Sequence, residues 1–264
     1  MLRRIAEVLL GRITVRRRLP EAVGGGVVIA NPKMAGLRYL LRPSRKLDEA
    51  LFRIVRVLVK PGDVVWDIGA NVGLFAASAA GLSGKTGAVY AVEADTDAYA
   101  MLVKTAGAQS GDHASIHSLN CAASSGCGTV RFNIAKRSRS ANFIAGYGST
   151  QAGAVAESRL VPALSLDVLL ATFPAPQVLK IDVEGAELLV LQGAEKLLLS
   201  VRPIAFIEVS GESAERVAKL LRNHNYSLFE GQSFRAVDAD GVAPWDTIAV
   251  PSEKVEVFLG GSRQ

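Results

Sequence analysis

The sequence is poor in cysteine, histidine and aromatic residues. Its two cysteines, Cys121 and Cys127, are too few for a disulfide framework and lack the spacing of a zinc site. Its histidines, His113, His117 and His224, are scattered and give no sign of a catalytic base. Aromatic residues make up only 6% of the chain. These shortages argue against a disulfide-stabilised secreted scaffold, and we expect reduced thiols and a cytoplasmic location.

Long hydrophobic runs are absent as well. Residues 1–10 mix charged and apolar side chains. Gly11 and Arg12 interrupt this segment far short of the roughly 20 apolar residues that a membrane-spanning helix needs. The segment also has no convincing cleavage signal for secretion. We therefore expect neither a membrane span nor a signal peptide there.

Positive charge is concentrated at the beginning of the chain. The formal net charge is +5, and eleven lysines and arginines precede residue 48. We interpret residues 1–47 as a basic N-terminal arm with a short helix, a flexible turn at Gly24–Gly26 and a strand or two, and residues 48–264 as one core domain. The arm could contact an anionic membrane surface, although a solvated basic face is the simpler interpretation. No nucleic-acid-binding motif is present, so we expect no nucleic-acid partner.

Helix and strand patterns alternate from residue 48 onward. Apolar spacings of three and four predict helices at 48–59, 74–80, 99–106, 166–170, 186–199 and 214–223. Short apolar runs predict strands at 64–68, 88–92, 115–119, 178–183 and 204–209. Two later runs, 226–229 and 247–250, predict an antiparallel pair. The pattern indicates an α/β fold with a doubly wound, mostly parallel, seven-stranded sheet and an antiparallel C-terminal strand pair.

Two features interrupt this alternation. Residues 130–134, behind two glycines, predict an extra strand. Residues 136–153 mix Arg, Ser, Gly and Ala without a period, and we interpret them as a long mobile loop. Such loops are commonly functional, and this one falls where an active-site lid could lie.

A glycine-rich turn is the strongest chemical signal. In VVWDIGANVGLF, Gly69 and Gly73 lie between a predicted strand and a predicted helix, where glycine lets the backbone turn sharply and approach a ligand. The carboxylate of Asp67 would repel a pyrophosphate but suits a ligand with an ammonium group. Glu93 ends the next strand, where its oxygens can accept both hydroxyls of a ribose. Each carboxylate could instead cap a helix, but together they favour a nucleoside cofactor.

Three segments resemble the FkbM family of S-adenosylmethionine-dependent methyltransferases. They are VKPGDVVWDIGANVGLF, AVEAD and VLKIDVEGAELLVLQGAEKLL, and KIDVEGAE is the most specific part. The resemblance covers roughly residues 48–208. It implies a Rossmann-like class I methyltransferase fold, S-adenosyl-L-methionine as cofactor, and O-methylation of a sugar or a sugar-bearing metabolite.

The resemblance also assigns cofactor-binding residues. It implies that Asp67, Gly69, Asn71 and Gly73 surround the methionyl group and that Glu93 binds the ribose. In this fold the adenine edge would lie after the third strand, so Asn120, Cys121 and Ala122 are candidates for the base pocket. These residues could equally serve only to pack the core. The full cofactor set is Asp67, Gly69, Ala70, Asn71, Gly73, Glu93, Ala94, Asn120, Cys121, Ala122 and Asp182.

Carboxylates after the fourth strand are candidates for the acid–base chemistry. Strand alternation brings Lys180, Asp182 and Glu184 to one side. Methyl transfer to an alcohol needs a group that takes the hydroxyl proton, and a carboxylate can do so. Asp182 is the first candidate, Glu184 the second and Glu208, at the end of the fifth strand, the third. Alternatively, Lys180 and Glu184 form a structural pair and Asp182 only orders the strand end or holds the cofactor amine; we predict no metal site.

Two other functions compete with a methyltransferase that acts on a hydroxylated small molecule or glycan. An NAD-dependent oxidoreductase would carry G-x-G-x-x-G, whereas Ala70 and the missing third glycine break that pattern here. A non-catalytic scaffold could keep the cofactor pocket and act through the basic arm, which the intact KIDVEG segment disfavours. The sequence does not indicate the oligomeric state.

Overall fold

The chain forms thirteen short strands and eight α-helices within the residues that the structure describes. This structure is a computed structural model and describes residues 13–31, 34, 36, 38–136, 141–148 and 154–262. The first half contains β1 Val15–Arg18, β2 Val27–Ala30, α1 Arg38–Leu41, α2 Glu49–Leu58, β3 Val64–Ile68, α3 Leu74–Ser83, β4 Ala88–Glu93, α4 Thr96–Gly107, β5 Ser115–Asn120, β6 Ala122–Ala123 and β7 Gly128–Ala135. The second half contains β8 Phe143–Ile144, β9 Val155–Leu164, α5 Leu166–Leu169, β10 Val178–Ile181, α6 Glu187–Gln192, β11 Ile204–Glu208, α7 Ala214–Asn223, β12 Tyr226–Glu230, β13 Asp246–Pro251 and α8 Val255–Ser262.

A seven-stranded sheet confirms the predicted fold class. Its strand order is β12-β13-β11-β10-β3-β4-β5. The five strands from β11 to β5 run parallel, whereas β13 is antiparallel to both β11 and β12. From β3 the chain winds outward through β4 to β5 and later returns to place β10 on the other side of β3. The carboxyl ends of β3 and β10 therefore flank the point where the strand order reverses, which is where open α/β sheets bind ligands.

Helices cover both faces of this sheet, as the alternating pattern predicted. On one face, Val55 of α2, Phe75 of α3 and Leu102 of α4 belong to one buried cluster. On the other face, Leu191 of α6 and Val217 of α7 belong to a second cluster. Both faces of the central strands are therefore shielded from water, and only the strand ends are left for polar side chains.

The start of the described chain packs onto the first of these faces. Strands β1 and β2 form an antiparallel pair on either side of the predicted glycine turn. Leu19 and Val28 are buried in the same cluster as α2 and α3. The β2 backbone is also bonded to α4, since Ile29 N donates to Thr105 Oγ1 at 2.9 Å. The predicted helix within residues 1–10 lies outside the described residues, and no helix that the structure describes has the length and apolarity needed to cross a bilayer.

The main departure from the sequence prediction is a second sheet between β5 and β10. It has four strands in the order β6-β9-β7-β8. Strand β7 contains the predicted extra strand, but β9 was not predicted, because most of its side chains are exposed and show no apolar alternation. The prediction of one long loop at 136–153 is wrong for Phe143–Ile144, which pair with β7 as β8. Residues 137–140 and 149–153 lie outside the described part.

The long helix predicted at 186–199 is also divided. Helix α6 ends at Gln192 and is followed by a separate π-helical turn at Leu197–Val201. The break falls at Gly193, where an added Cβ atom would lie 2.2 Å from the backbone oxygen of Ser124. The segment that follows β6 therefore leaves no room for a side chain at this break, although the apolar spacing continues.

Candidate active site

The glycine-rich turn after β3 packs directly against the end of β10. Gly69 has a φ of 77°, and a Cβ atom there would lie 1.8 Å from the backbone oxygen of Asp182. Asn71 also adopts a left-handed conformation, with a φ of 51°. The amides of Gly69 and Ala70 donate to the carbonyl of Val92 at 2.9 and 3.0 Å. The ends of three neighbouring strands are thus held together without intervening side chains.

Lys180 is the buried charge at the centre of this arrangement. Its side chain is 5% exposed, and Nζ lies 3.1 Å from Oδ1 of Asp67 and 3.2 Å from Oδ2 of Asp182. The same ammonium donates to the carbonyl oxygen of Gly69 at 2.9 Å. Lys180 thus pairs with Asp67 and Asp182 rather than with Glu184. Burial lowers the pKa of Lys180, but the negative charges of Asp182 and Asp67 raise it by more. The pKa of Lys180 is therefore raised, and the side chain stays an ammonium.

Asp67 lies beneath the turn. Its side chain is fully buried and is in contact with Lys180. Burial raises the pKa of Asp67, while the charge of Lys180 opposes this shift. The influence of Asp67 on a ligand would therefore pass through Lys180 and the turn that Lys180 binds.

Glu93 shapes the turn from the next strand. Its Oε2 accepts the amide of Asn71 and its Oε1 accepts the amide of Asp95, both at 2.7 Å. Burial is the main cause that raises its pKa to about 7. Asn120 donates to the backbone oxygen of Glu93 at 2.7 Å, which ties β5 to the same corner.

Three adjoining cavities open around these strand ends. The inner cavity encloses about 600 Å³ of empty space, part of it open to solvent, and lies between the end of β4 and the second sheet. The turn cavity, of about 780 Å³, lies over the glycine-rich turn and Tyr39. The outer cleft has about 1250 Å³ of empty space, part of it open to solvent, and its lining residues include Tyr147 and Trp245. Asp182 and Glu184 line all three, so the cavities meet at these two carboxylates.

Most of the residues singled out in the sequence line these cavities. The inner cavity is lined by Gly69, Asn71, Glu93, Ala94, Cys121 and Ala122. The turn cavity adds Ala70, and Glu208 lines both the turn cavity and the outer cleft. Asp67, Gly73 and Asn120 are not among the lining residues of the three cavities. Their contacts place them behind the cavity walls, where they support the turn.

These walls fit S-adenosylmethionine. Oδ1 of Asn71 is buried and has no hydrogen-bond partner within the described residues, so it is ready to accept an N–H from a ligand. The inner cavity has apolar walls that include Phe132 and Ile144, which suit a flat base, and Glu93 beside them.

The outer cleft gathers carboxylates with raised pKa values. Burial and then the charge of Asp182 raise the pKa of Glu208 to about 8. The same two causes raise the pKa of Glu184, but this side chain is exposed, so water screens much of the shift. Glu184 lies beyond β10 with a φ of 53°, so the turn, and not strand alternation, brings it beside Asp182. The cleft therefore contains at least one carboxyl group, Glu208, that changes its protonation state near neutral pH.

Several residues of the site were missed in the sequence. Glu187 is 1% exposed, lines the outer cleft and accepts the amide of Gly185 at 2.6 Å. Glu187 could have been found from its place in the KIDVEGAE segment, three residues after Glu184. Tyr147 and Trp245 gave no such signal, because they come from loops that are distant in the sequence.

The raised pKa of Glu208 predicts how stability depends on pH. The folded protein holds the Glu208 proton more tightly than the unfolded chain, so the contribution of this group to stability is lost as pH rises from the ordinary value of 4.5 through about 8. Glu208→Gln cannot ionise. Its melting temperature should therefore fall less than that of the wild type between about pH 6 and about pH 9 in scanning fluorimetry. Glu256→Gln, on an exposed position of α8, is the control and should follow the wild type; an equal decline in Glu208→Gln would contradict the assignment.

Comparison with known proteins places the chain in a family. The model of the Methyltransferase FkbM domain matches residues 67–228. A hexuronic acid methyltransferase, AglP of Haloferax volcanii, is 29% identical over 176 residues, which are 66% of this chain and 67% of the relative.

Similar solved structures include methyltransferases. One is the methyltransferase FkbM from Methylobacillus flagellatus KT, with 16% identity and a TM-score of 0.45; the match covers 94% of this chain and spans 58% of that protein. Another is Aeropyrum pernix fibrillarin with natively bound S-adenosyl-L-methionine, with 16% identity and a TM-score of 0.45; the match covers 86% of this chain and 90% of that protein. The family match covers more than half of the chain and includes both the glycine-rich turn and the KIDVEGAE segment. The chain therefore belongs to the FkbM family of S-adenosylmethionine-dependent methyltransferases, as its motifs predicted.

Proposed function

We propose that this protein transfers the methyl group of S-adenosylmethionine to a hydroxyl oxygen of a sugar, glycan or glycosylated metabolite. The observation that carries this proposal is that the inner cavity, the turn cavity and the outer cleft share Asp182 and Glu184. A cofactor in the first two and an acceptor in the third would meet beside these carboxylates. The name of the Haloferax volcanii relative, a hexuronic acid methyltransferase, supports a sugar acceptor.

The cofactor would lie along the ends of β3 and β4. In this proposal Gly69 and Asn71 hold the methionyl end, with Oδ1 of Asn71 accepting from the ammonium group. Glu93 binds the ribose, and Cys121 and Ala122 line the pocket for the base. When bound, S-adenosylmethionine supplies a methyl group on a positively charged sulfur that is already a good leaving group. The protein therefore contributes mainly position and exclusion of water.

Asp182 is the proposed proton acceptor. Its Oδ2 lies 3.2 Å from Nζ of Lys180, and this ion pair fixes its place. As the acceptor oxygen gains the methyl group, Asp182 takes the hydroxyl proton and later releases it to solvent. Glu184 and Glu208 both have raised pKa values. Each can donate a hydrogen bond to a neighbouring hydroxyl when it is protonated and accept one when it is ionised.

Calorimetric titration with S-adenosylhomocysteine, and with NADH in parallel, tests the cofactor assignment. We expect saturable binding of S-adenosylhomocysteine alone. Asn71→Gly keeps the left-handed conformation but removes the acceptor, so it should weaken binding by about tenfold or more. Asn225→Gly is the matched control, since Asn225 has a φ of 58° and lies outside the three cavities. Binding of NADH alone would favour an oxidoreductase, and binding of neither ligand would refute the cofactor assignment.

A further inference from the structure

We propose that the outer cleft selects an uncharged or amino-substituted sugar, held between Tyr147 and Trp245, and rejects a sugar acid. The inference rests on the proposed function, because it treats the outer cleft as the acceptor site. It goes beyond that function by assigning the charge class of the acceptor and the residues that recognise its ring.

Two exposed aromatic side chains border the cleft. Trp245 is 61% exposed and Tyr147 is 49% exposed, and both line the outer cleft. Exposed apolar surface on a concave wall marks ligand-binding grooves, and aromatic rings combine a flat apolar face with a polar edge. The C–H face of a sugar ring is a suitable partner for such a surface, because its hydroxyls point outward to polar groups.

The backbones of both aromatic residues are fixed next to the carboxylates. The carbonyl of Trp245 accepts the amide of Val209, directly after β11, at 2.7 Å. The carbonyl of Tyr147 packs against Gly185, where an added Cβ atom would lie 2.2 Å from the Tyr147 oxygen. Each ring is therefore attached to a segment that also positions a carboxylate, either Glu208 or Glu184. A ring bound between them would present its hydroxyls to these carboxylates.

The charge of the cleft determines which sugar it accepts. Five carboxyl groups line it, and none of its described lining residues is a lysine, arginine or histidine. They are Asp182, Glu184, Glu187, Glu208 and Glu212. Sugar hydroxyls and ammonium groups can donate hydrogen bonds to these groups, whereas the carboxylate of a sugar acid would add negative charge to a cleft in which burial and the charge of Asp182 already raise the pKa values of Glu184 and Glu208. This charge would distinguish the protein from its hexuronic acid methyltransferase relative.

A series of methyl glycosides with the same ring tests the charge class. The probes are methyl glucoside, methyl glucosaminide and methyl glucuronide, titrated into wild-type protein saturated with S-adenosylhomocysteine. We expect the glucoside and the glucosaminide to bind at least about tenfold more tightly than the glucuronide. Binding of S-adenosylhomocysteine together with preference for the glucuronide, or no binding of the glucoside, would overturn this inference and leave the cofactor assignment intact. Failure of S-adenosylhomocysteine to bind would instead refute the proposed function.

Substitution of the aromatic wall tests the ring contact. Trp245→Ala should weaken glucoside binding by about tenfold, with unchanged affinity for S-adenosylhomocysteine, and Trp245→Phe should restore most of it. Val257→Ala is the control, because Val257 is 81% exposed on α8 and outside the cleft. Equal glucoside affinity in Trp245→Ala and the wild type would show that this side chain does not contact the acceptor.

Discussion

Asp182→Asn should lower kcat by about 100-fold or more, which is the usual contribution of a positioned general base, while the affinity for S-adenosylhomocysteine stays close to that of the wild type. The amide has nearly the shape of the carboxylate, but it cannot take the hydroxyl proton. Asp182 lines all three cavities, so a proton released beside the bound acceptor would be close to it. Single-turnover release of S-adenosylhomocysteine, with an acceptor that supports turnover in the wild type, measures the effect.

A control variant and a binding measurement distinguish the loss of a base from other effects of the substitution. Asp240→Asn makes the same chemical change on an exposed residue outside the three cavities, and we expect it to keep most of the turnover. If Asp182 only held the cofactor amine, Asp182→Asn would lose affinity for S-adenosylhomocysteine in parallel with kcat. Unchanged turnover in Asp182→Asn would remove Asp182 from its role as base.

The sequence was informative about this site because its residues follow strands that are adjacent in the sheet. The apolar run with Asp67 and the two glycines predicted a strand, a tight turn and a helix, and the structure has all three. The close approach that the first glycine makes is to the backbone oxygen of Asp182. The carboxyl ends of parallel strands share one edge, so Glu93 and Asp182 were placed correctly at the same crevice. Local pattern and parallel topology together were sufficient for this part.

The sequence could not show which charges would pair. The alignment of β10 with β3 places Lys180 beside Asp67, and this pairing buries a carboxylate that the sequence suggested for the ligand. The prediction that strand alternation places Glu184 beside Asp182 was also wrong, because the strand ends at Ile181 and the chain then turns. Such pairings depend on register and on where a strand ends, neither of which has a local signal.

The second sheet was largely missed for a related reason. Strand β9 lies between β6 and β7 and buries Val161 and Ala163 in the apolar cluster of this sheet, but most of its side chains are exposed, so its apolar pattern is too short to predict the strand. This sheet supplies Phe132 and Ile144 to the inner cavity. Phe132 lies in the strand predicted at 130–134, whereas Ile144 lies in β8, a two-residue strand that periodicity could not reveal.

Lys180→Met should lower the free energy of unfolding by about 3–5 kcal/mol, the usual cost of removing one partner from a buried ion pair. Methionine has a similar length but no charge, so Asp67 would be left buried without its counter-ion and Asp182 would lose its neighbour. The carbonyl of Gly69 would lose its donor as well. We therefore expect weaker binding of S-adenosylhomocysteine along with the lower stability in urea titrations.

Two measurements separate this electrostatic role from simple packing. Without Lys180 the pKa of Asp67, which burial already raises, should rise further, so the folded variant would hold this proton more tightly than the unfolded chain. A raised carboxyl pKa stabilises at low pH and loses its contribution as pH rises, so the deficit of Lys180→Met should shrink toward about pH 5. The double variant Asp67→Asn with Lys180→Met removes the unpaired charge and should recover part of the stability at neutral pH. A deficit that is the same at every pH, with no recovery in the double variant, would mean that Lys180 acts through packing and not as the charge that joins β3 to β10.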